Sequence, residues 1–174
     1  STGTAVVQTT DIDQGSFDNC GIQSLTLSDT VFDCSLTGSN PLYLIATDAA
    51  GNRDSVQTSL VVRDTMAPVL RVSSFNGYLN AQGEAFVQPA DVDNGSYDNC
   101  GTLNLSLSKT RFTCANLGLN TLQLTGTDAY GNSRNIQVSI NIKDTVAPLL
   151  RMQNAVAYLD SNGKASITVA DINN

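Results

Sequence analysis

Two loops of this sequence concentrate carboxylates at close and regular spacing. The first reads DIDQGSFDNCG at residues 11–21, and the second reads DVDNGSYDNCG at residues 91–101. Alternating aspartates followed by a glycine place hard oxygen donors on a sharp turn, which is the donor chemistry that Ca²⁺ prefers. Asp, Asn and Gly also form ordinary turns, so one such loop alone would indicate little. The recurrence of the complete set favours calcium binding.

The acidic motif recurs with a fixed period. Asp11, Asp91 and Asp171 begin three copies of it at intervals of 80 residues, and the third copy reads DINN before the sequence ends. Asn173 stands in that copy where Asp93 stands in the second. A period of this length is larger than that of a propeller blade and predicts an array of small domains.

Short runs of alternating apolar and polar residues fill one period, residues 65–144. They read VLRVS, GYLN, EAFVQ, LNLSLS, RFTC, TLQLTGT and NIQVSINI, and this alternation is typical of half-buried strands. Seven short strands on this scale predict an all-β fold of tandem immunoglobulin-like β-sandwich repeats. One face of NIQVSINI is expected to supply much of the core: Ile136, Val138, Ile140 and Ile142.

The repeat boundaries divide the chain into three parts. Residues 1–64 are predicted to form an immunoglobulin-like repeat that lacks its first strands, and residues 65–144 a complete repeat. Residues 145–174 are predicted to be the first strands of a third repeat. The sequence thus begins and ends inside a repeat, and we expect it to belong to a longer array.

Loops from different strands are expected to meet at one end of each sandwich. In an immunoglobulin-like strand order the acidic loop, the T-D-A-x-G-N loop and the D-T-x-A-P linker all reach that end. The candidate calcium ligands there are Asp64, Asp91, Asp93, Asp98, Asp128 and Asn132. The corresponding candidates of the other copies are Asp11, Asp13, Asp18, Asp48, Asp144 and Asp171. Calcium held partly by the linker would stiffen the junction between neighbouring repeats.

Each repeat carries two cysteines, Cys20 with Cys34 and Cys100 with Cys114. A strand, a turn and a return strand separate the members of each pair, so we expect a disulfide within each repeat. Such a cross-link contributes about 3 kcal/mol in the chain-entropy estimate and indicates an oxidising, extracellular environment. A zinc site is disfavoured, because the sequence contains no histidine and no C-x-x-C spacing.

Charge and composition disfavour several classes of function. The net charge of -7 disfavours nucleic acid and anionic lipid as partners. No long apolar run occurs, so we expect no membrane insertion. The chain is not expected to be an enzyme, because adjacent loop aspartates do not oppose each other across a substrate and no histidine is present.

Four motifs together resemble a known type of repeat. They are D-x-D-x-G-S-x-D-N-C-G, L-S-x-T-x-F-x-C, T-D-A-x-G-N and D-T-x-A-P, and they cover nearly the whole chain. They are similar to the hyalin-type (HYR-like) immunoglobulin-fold repeats of large Bacteroidetes cell-surface proteins, such as gliding-motility adhesins. The resemblance implies a secreted segment at the bacterial cell surface. It also implies a possible O-glycan acceptor pattern, Asp-Thr followed by Met or a small aliphatic residue, which makes Thr65 and Thr145 candidates.

Two functions are compatible with these features. The favoured one is a structural, calcium-rigidified segment of an extracellular filament or adhesin stalk that projects a binding tip. The alternative is a carbohydrate- or protein-binding module acting directly in adhesion, with Tyr43, Tyr97 and Tyr130 as candidate sugar platforms.

The expected partners are neighbouring repeats of the same array. An extracellular surface or glycan would be bound through other parts of the parent protein. Residues 145–174 of one molecule could also complete residues 1–64 of the next by strand donation, giving head-to-tail fibres. A piece of a continuous array explains the same ends equally well.

Overall fold

The computed structural model describes residues 3–172. Asn173 and the outermost residues of the first and third predicted parts lie outside the described residues. The described strands are β1 (Thr4–Val6), β2 (Ile22–Leu27), β3 (Val31–Asp33), β4 (Gly38–Asp48), β5 (Arg53–Val62), β6 (Phe75–Tyr78), β7 (Glu84–Phe86), β8 (Asn104–Leu107), β9 (Arg111–Thr113), β10 (Gly118–Thr127) and β11 (Ser133–Lys143). Within the described residues, three short α-helices accompany them, α1 (Thr9–Ile12), α2 (Pro89–Val92) and α3 (Val169–Ile172), together with two 3₁₀ helices at Cys34–Leu36 and Cys114–Asn116.

The elements recur along the chain in the same order. The series β1, α1, β2, β3, β4, β5 corresponds to β7, α2, β8, β9, β10, β11. Each element of the second series follows its counterpart in the first by about one sequence period. We call residues 3–63 the first unit, residues 64–143 the second unit and residues 144–172 the C-terminal segment. β6 has no counterpart among the described residues of the first unit.

The second unit has the two-sheet arrangement of an immunoglobulin-like sandwich. One sheet has the order β6-β11-β10-β8, in which β6 runs parallel to β11 and the other neighbours are antiparallel. The other sheet pairs β7 with β9. The parallel register places Phe75 opposite Ile140 and Tyr78 opposite Lys143. The predicted all-β class is confirmed.

A cluster of ten buried hydrophobic residues forms the core of the second unit, and Phe32, Leu42 and Leu44 are buried in the first unit. Val138, Ile140 and Ile142 of β11 are buried, and Ile136 packs against them, as the alternation predicts. Phe112 of β9 belongs to the same cluster and is fully buried. Complete burial of side chains of this size contributes about 1.5–3 kcal/mol each, so this face of β11 stabilises the sandwich.

The first unit is open along one side. β2, β4 and β5 form one sheet and β1 pairs with β3, but within residues 3–172 no strand pairs with the outer edge of β5. Val56 of β5 is therefore 62% exposed, whereas Ile136 at the same position of β11 packs on the core. This edge is exposed because no strand among residues 3–172 covers it as β6 covers β11.

The segment VLRVS differs from its sequence prediction. It forms no regular strand, and instead Val69 and Val72 make isolated bridges to Tyr97 and Asp93 of the acidic loop. The bridges hold the linker against the loop, so the segment covers the core without extending a sheet.

The disulfide joins the two units. Cys34 and Cys100 are bonded with a Cα–Cα distance of 5.2 Å, while Cys20 and Cys114 are free and exposed. The predicted pairing within each repeat, Cys20 with Cys34 and Cys100 with Cys114, is therefore wrong.

Strand pairing explains why the predicted disulfides do not form. β3 does not return along β2 but pairs with β1 in the other sheet, with Asp33 opposite Thr4. Cys34 therefore lies where β1 starts, whereas Cys20 lies in the loop beyond the other end of β1. The Cys34 Sγ lies 3.4 Å from the Asn99 carbonyl oxygen, so it faces the second unit.

Truncation of the core should affect the closed unit more than the open one. Ile140→Ala removes a side chain that is 1% exposed, and we expect a loss of about 2–5 kcal/mol in the free energy of unfolding. Leu60→Ala, at the same position of β5, removes a side chain that is already partly exposed and should cost less. Chemical denaturation of both variants measures the difference, and equal losses would contradict the open first unit.

Peptide mapping without reduction will test the disulfide between the units. Trypsin places Cys34 in residues 1–53, Cys100 in residues 72–109 and Cys114 in residues 112–134. We expect the first two peptides to be joined, since the bond links the units. A bond between the last two peptides would instead restore the pairing within one repeat.

Candidate metal centre

Three aspartates from different segments converge at the junction of the units. Asp64 lies in the linker after β5, Asp98 in the loop before β8, and Asp128 directly after β10. One carboxylate oxygen of each lies within 4.8 Å of the others. Asp128 is buried and the other two are half-buried. Among residues 3–172 this junction cluster is the one group of three or more potential metal-binding side chains that lie so close together.

The T-D-A-x-G-N turn holds Asp128 in place. Its Oδ1 accepts hydrogen bonds from the backbone N–H groups of Tyr130 and Asn132, each at 2.8 Å. Its Oδ2 accepts a bond from the Asn132 side-chain amide, also at 2.8 Å. Burial alone would raise the pKa of Asp128, but these hydrogen bonds outweigh it and hold the pKa below its ordinary value of 3.8. Asp128 is therefore charged at neutral pH.

Asn132 connects this turn to the linker. Its side-chain nitrogen also donates a hydrogen bond to the backbone carbonyl oxygen of Asp64 at 3.2 Å. The predicted ligand Asn132 thus lies beside the junction cluster, where its amide nitrogen positions two of the aspartates.

Two carboxylate oxygens of the junction cluster are buried without a hydrogen-bond partner. They are Oδ2 of Asp64 and Oδ1 of Asp98. The second oxygen of each is satisfied locally, by the backbone N–H of Met66 at 3.1 Å and of Cys100 at 2.8 Å. Leaving a buried oxygen without a hydrogen-bond partner costs about 1–3 kcal/mol, and more when the oxygen is charged. A cation between the carboxylates would satisfy both.

The donor set of the junction cluster fits Ca²⁺. Calcium binds oxygens at about 2.3–2.6 Å, so two oxygens on one ion lie no more than about 5 Å apart. The separations within 4.8 Å meet this limit. All three donors are carboxylates, which are hard ligands, and such a set disfavours soft metals that select sulfur or imidazole.

The first aspartate of each acidic motif caps a short helix. Asp91 Oδ2 accepts a hydrogen bond from the backbone N–H of Gln88 at 2.7 Å and completes a capping box around α2. Asp11 and Asp171 make the same contact at the starts of α1 and α3. The pattern Q-x-x-D at α1 and α2, and T-x-x-D at α3, is a sequence signal for such a cap, and it accounts for these short helices, which the lack of a helical period did not predict. None of the three aspartates belongs to the junction cluster.

The third position of the acidic motif shapes its turn. Asp93 Oδ1 accepts a hydrogen bond from the Ser96 backbone N–H at 3.0 Å, and Asp13 does the same with Ser16 at 2.9 Å. Burial raises the pKa of Asp93, but the hydrogen bonds from Ser96 leave it below 3.8. The hydroxyl and backbone N–H of Ser16 lower the pKa of Asp13. Both aspartates lie outside the junction cluster.

The first unit contains two of the three corresponding aspartates. Asp18 and Asp48 occupy the positions of Asp98 and Asp128, and the Asn52 amide donates to Asp48 at 2.8 Å. Within residues 3–172 no third carboxylate joins them. The structure therefore brings together three of the six predicted ligands of the second unit, and among residues 3–172 it leaves the first-unit set incomplete.

The position equivalent to Asp64 is Asp144, at the start of the C-terminal segment. Asp144 is exposed, and its carboxylate accepts a hydrogen bond from the Val146 backbone N–H at 3.0 Å. The candidate glycan acceptors Thr65 and Thr145, which follow the two linker aspartates, are exposed as well. Their accessibility permits glycosylation, which stays a prediction.

The three candidate sugar platforms are partly exposed, at 41% for Tyr43, 49% for Tyr97 and 44% for Tyr130. The Arg71 guanidinium lies 5.2 Å from the centre of the Tyr97 ring, which occupies one ring face. The Tyr43 hydroxyl bonds to a side chain on β5 at 3.2 Å. Direct glycan binding by these rings stays a prediction.

Known proteins offer limited similarity to this chain. No protein-family profile and no curated protein match it. Among solved structures, the crystal structure of human mucin-like protocadherin EC1-2 aligns with a TM-score of 0.36 and 10% identity, covering 82% of this chain and 85% of that chain. No helix in residues 3–172 is long and apolar enough to cross a membrane. The functional conclusion therefore depends on the junction cluster itself.

Removal of the Asn52 side-chain amide should change how the free energy of unfolding depends on pH. Hydrogen bonds, chiefly from the Asn52 side chain, hold the pKa of Asp48 below its ordinary value of 3.8. This contribution to stability is present above pH 3.8 and is lost as the pH falls through the lower folded-state pKa. We therefore expect Asn52→Ala to destabilise the protein at neutral pH, with a difference that shrinks in acid.

Chemical denaturation in calcium-free buffer between neutral pH and pH 2 measures this difference. The Asp48→Asn background is the control, because Asn52→Ala should have a pH-independent effect there. A difference that grows in acid would contradict the assignment.

Proposed function

We propose that this chain is a structural, calcium-rigidified segment of an extracellular filament or adhesin stalk. The observation that carries the proposal is the junction cluster, in which buried oxygens of Asp64 and Asp98 have no hydrogen-bond partner. Three carboxylates within 4.8 Å repel one another, and a divalent cation offsets that repulsion.

The position of the cluster supports a mechanical role. Asp64 belongs to the linker, whereas Asp98 and Asp128 belong to loops of the second unit. When bound, Ca²⁺ supplies the positive charge that holds these three carboxylates together. Asp64 then fixes the linker to the end of the sandwich, so the angle between the units becomes restricted.

Other contacts restrict the same junction. The Cys34–Cys100 disulfide links the units covalently, and the Asn132 amide bonds the linker backbone. Pro68, which ends the linker motif, is fully buried and has a fixed φ angle. A junction with this many constraints suits a spacer that transmits orientation over a distance.

The proposed location follows from cysteine chemistry and from the motifs. A structural disulfide persists in an oxidising compartment, which supports an extracellular segment. The resemblance of the four motifs to hyalin-type repeats supports a bacterial surface protein whose ligand-binding tip lies in other parts of the parent chain. The role proposed here is that of the stalk, without catalysis.

Calcium should raise the thermal unfolding midpoint of the disulfide-intact protein, and chelator should reverse the rise. At a free Ca²⁺ concentration 100 times the dissociation constant, the stabilisation is about 2.7 kcal/mol. Mg²⁺ should give a smaller rise, because it binds fewer protein oxygens and demands a stricter octahedron. Differential scanning calorimetry measures all three conditions.

Asp128→Asn is expected to abolish most of the calcium-dependent rise, since it removes one charged ligand of the cluster. Asp29→Asn is the matched control, because Asp29 is exposed and the change in net charge is the same. An unchanged midpoint at millimolar Ca²⁺, or equal losses in both variants, would sink the proposal.

A further inference from the structure

The Cys34–Cys100 disulfide and the junction cluster share the loop of the second unit that precedes β8. Asp98 stands two positions before Cys100, and its Oδ2 accepts a hydrogen bond from the Cys100 backbone N–H at 2.8 Å. The position of this carboxylate is therefore tied to the backbone of Cys100. The other oxygen of Asp98, Oδ1, is buried without a hydrogen-bond partner, so it is the oxygen that remains available to a cation.

The first unit also presents its two contributions side by side. Gly38, at the start of β4, lies opposite Val62, at the end of β5. Cys34 comes shortly before Gly38 and Asp64 shortly after Val62, so both emerge from the same end of this sheet. The disulfide and the junction cluster therefore connect one end of the first unit to one loop of the second unit.

Hydrogen bonds hold the turn around Cys34 in place. The Thr37 hydroxyl donates to the Cys34 carbonyl oxygen at 2.7 Å. The Asn40 side-chain amide donates to the carbonyl oxygens of Leu36 and Gly38, at 2.6 and 3.2 Å. A covalent bond to Cys34 is therefore a bond to a fixed point of the first unit.

The linker that carries Asp64 has an anchor on each side. After Asp64, the backbones of Val69 and Tyr97 exchange two hydrogen bonds, at 2.9 and 3.0 Å. Before Asp64 the linker continues from β5, and the disulfide fixes this end of the first unit against the loop of Asp98. Cleavage of the disulfide leaves the anchor at Val69 and releases the one before Asp64.

Electrostatic repulsion acts against the arrangement of the junction cluster. Its three carboxylates have oxygens within 4.8 Å of one another, and like charges at this distance repel. A covalent bond beside the cluster opposes this repulsion and keeps the oxygens in place before a cation arrives. Ligands that are held in place bind more tightly, because less conformational freedom is lost on binding.

We propose that the Cys34–Cys100 disulfide is a positioning bond of the junction cluster, and that Ca²⁺ binds about tenfold more tightly when the bond is formed than when both cysteines are thiols. The inference rests on the proposed calcium function. A factor of about ten lies within the ordinary range of coupling between two sites. The redox state of the surroundings thereby regulates how firmly calcium fixes the linker.

Thermodynamic linkage requires the reverse effect. Saturating Ca²⁺ must shift the thiol–disulfide equilibrium of Cys34 and Cys100 toward the disulfide by the same factor. A small dithiol such as dithiothreitol reduces the bond by two successive exchanges, in which a mixed disulfide forms and is then resolved. Two electrons and two protons pass to the cysteine sulfurs, and the reagent becomes a cyclic disulfide. Calcium thus protects the bond that favours calcium binding.

Calorimetric titration of the full chain with Ca²⁺ tests the first effect. All proteins carry Cys20→Ser and Cys114→Ser, so that Cys34 and Cys100 are the cysteines present. We expect Cys34→Ser/Cys100→Ser, which lacks the bond, to have a dissociation constant about tenfold larger than the oxidised protein. Val138→Ala is the control, because it removes buried methyl groups from the core of the second unit and should leave the dissociation constant unchanged.

Equilibration with mixtures of reduced and oxidised dithiothreitol tests the reverse effect. The samples contain saturating Ca²⁺ or chelator, and alkylation followed by mass spectrometry measures the fraction of protein that retains the bond. We expect Ca²⁺ to shift the equilibrium constant about tenfold toward the disulfide. Asp128→Asn should abolish this shift although Asp128 comes from a different loop from Cys100, whereas Asp29→Asn should keep it. A disulfide that acted only as a staple would not respond to Asp128.

The outcomes separate the positioning bond from the calcium function. Equal dissociation constants with and without the bond, an equal loss of affinity in Val138→Ala, or an equilibrium that Ca²⁺ does not shift would overturn the positioning bond alone. Absence of Ca²⁺ binding to the oxidised protein would overturn both proposals. If Cys34→Ser/Cys100→Ser does not fold, the equilibrium with dithiothreitol decides, because it uses the native cysteine pair.

Discussion

The parallel pairing of β6 with β11 is the interaction on which the closed sandwich of the second unit depends. It places the chain that enters the second unit over the face of β11, where Ile140 and Ile142 are buried. Among the described residues no equivalent strand covers the first unit, which has the same order of its other strands but an exposed β5. The segment that precedes the other strands therefore closes the sandwich. This makes the linker a structural part of the domain that follows it.

The same arrangement explains why acidic side chains gather at the junction. A linker that enters over the loops brings Asp64 beside Asp98 and Asp128, which come from two loops of the sandwich. The remaining motif aspartates have local roles, such as the helix cap made by Asp91. The aspartates thus divide into two kinds: those whose carboxylates are satisfied within their own loop, and Asp64 and Asp98, each of which leaves one buried oxygen without a hydrogen-bond partner.

Local patterns predicted the strands of the second unit, apart from VLRVS, and half of the site. The alternation in NIQVSINI reports the side chains that face the core, because strand periodicity is a local property. The convergence of three aspartates also followed from strand order. The disulfide did not, since the spacing of Cys20 and Cys34 says nothing about the sheet in which β3 pairs. The pairing of Cys34 with Cys100 depends on the contact between units, which no single repeat encodes.

The disulfide between the units also determines how the chain carries tension. A force that pulls on the two ends passes from Cys34 through the sulfur atoms to Cys100, a sequence separation of 66 residues. The strands between them, including β4 and β5, lie outside this covalent path. An extended chain spans roughly 3.3–3.6 Å per residue, so more than about 200 Å of length stays unavailable to stretching while the bond is intact. Reduction would make that length available to stretching once the strands between the two cysteines unfold.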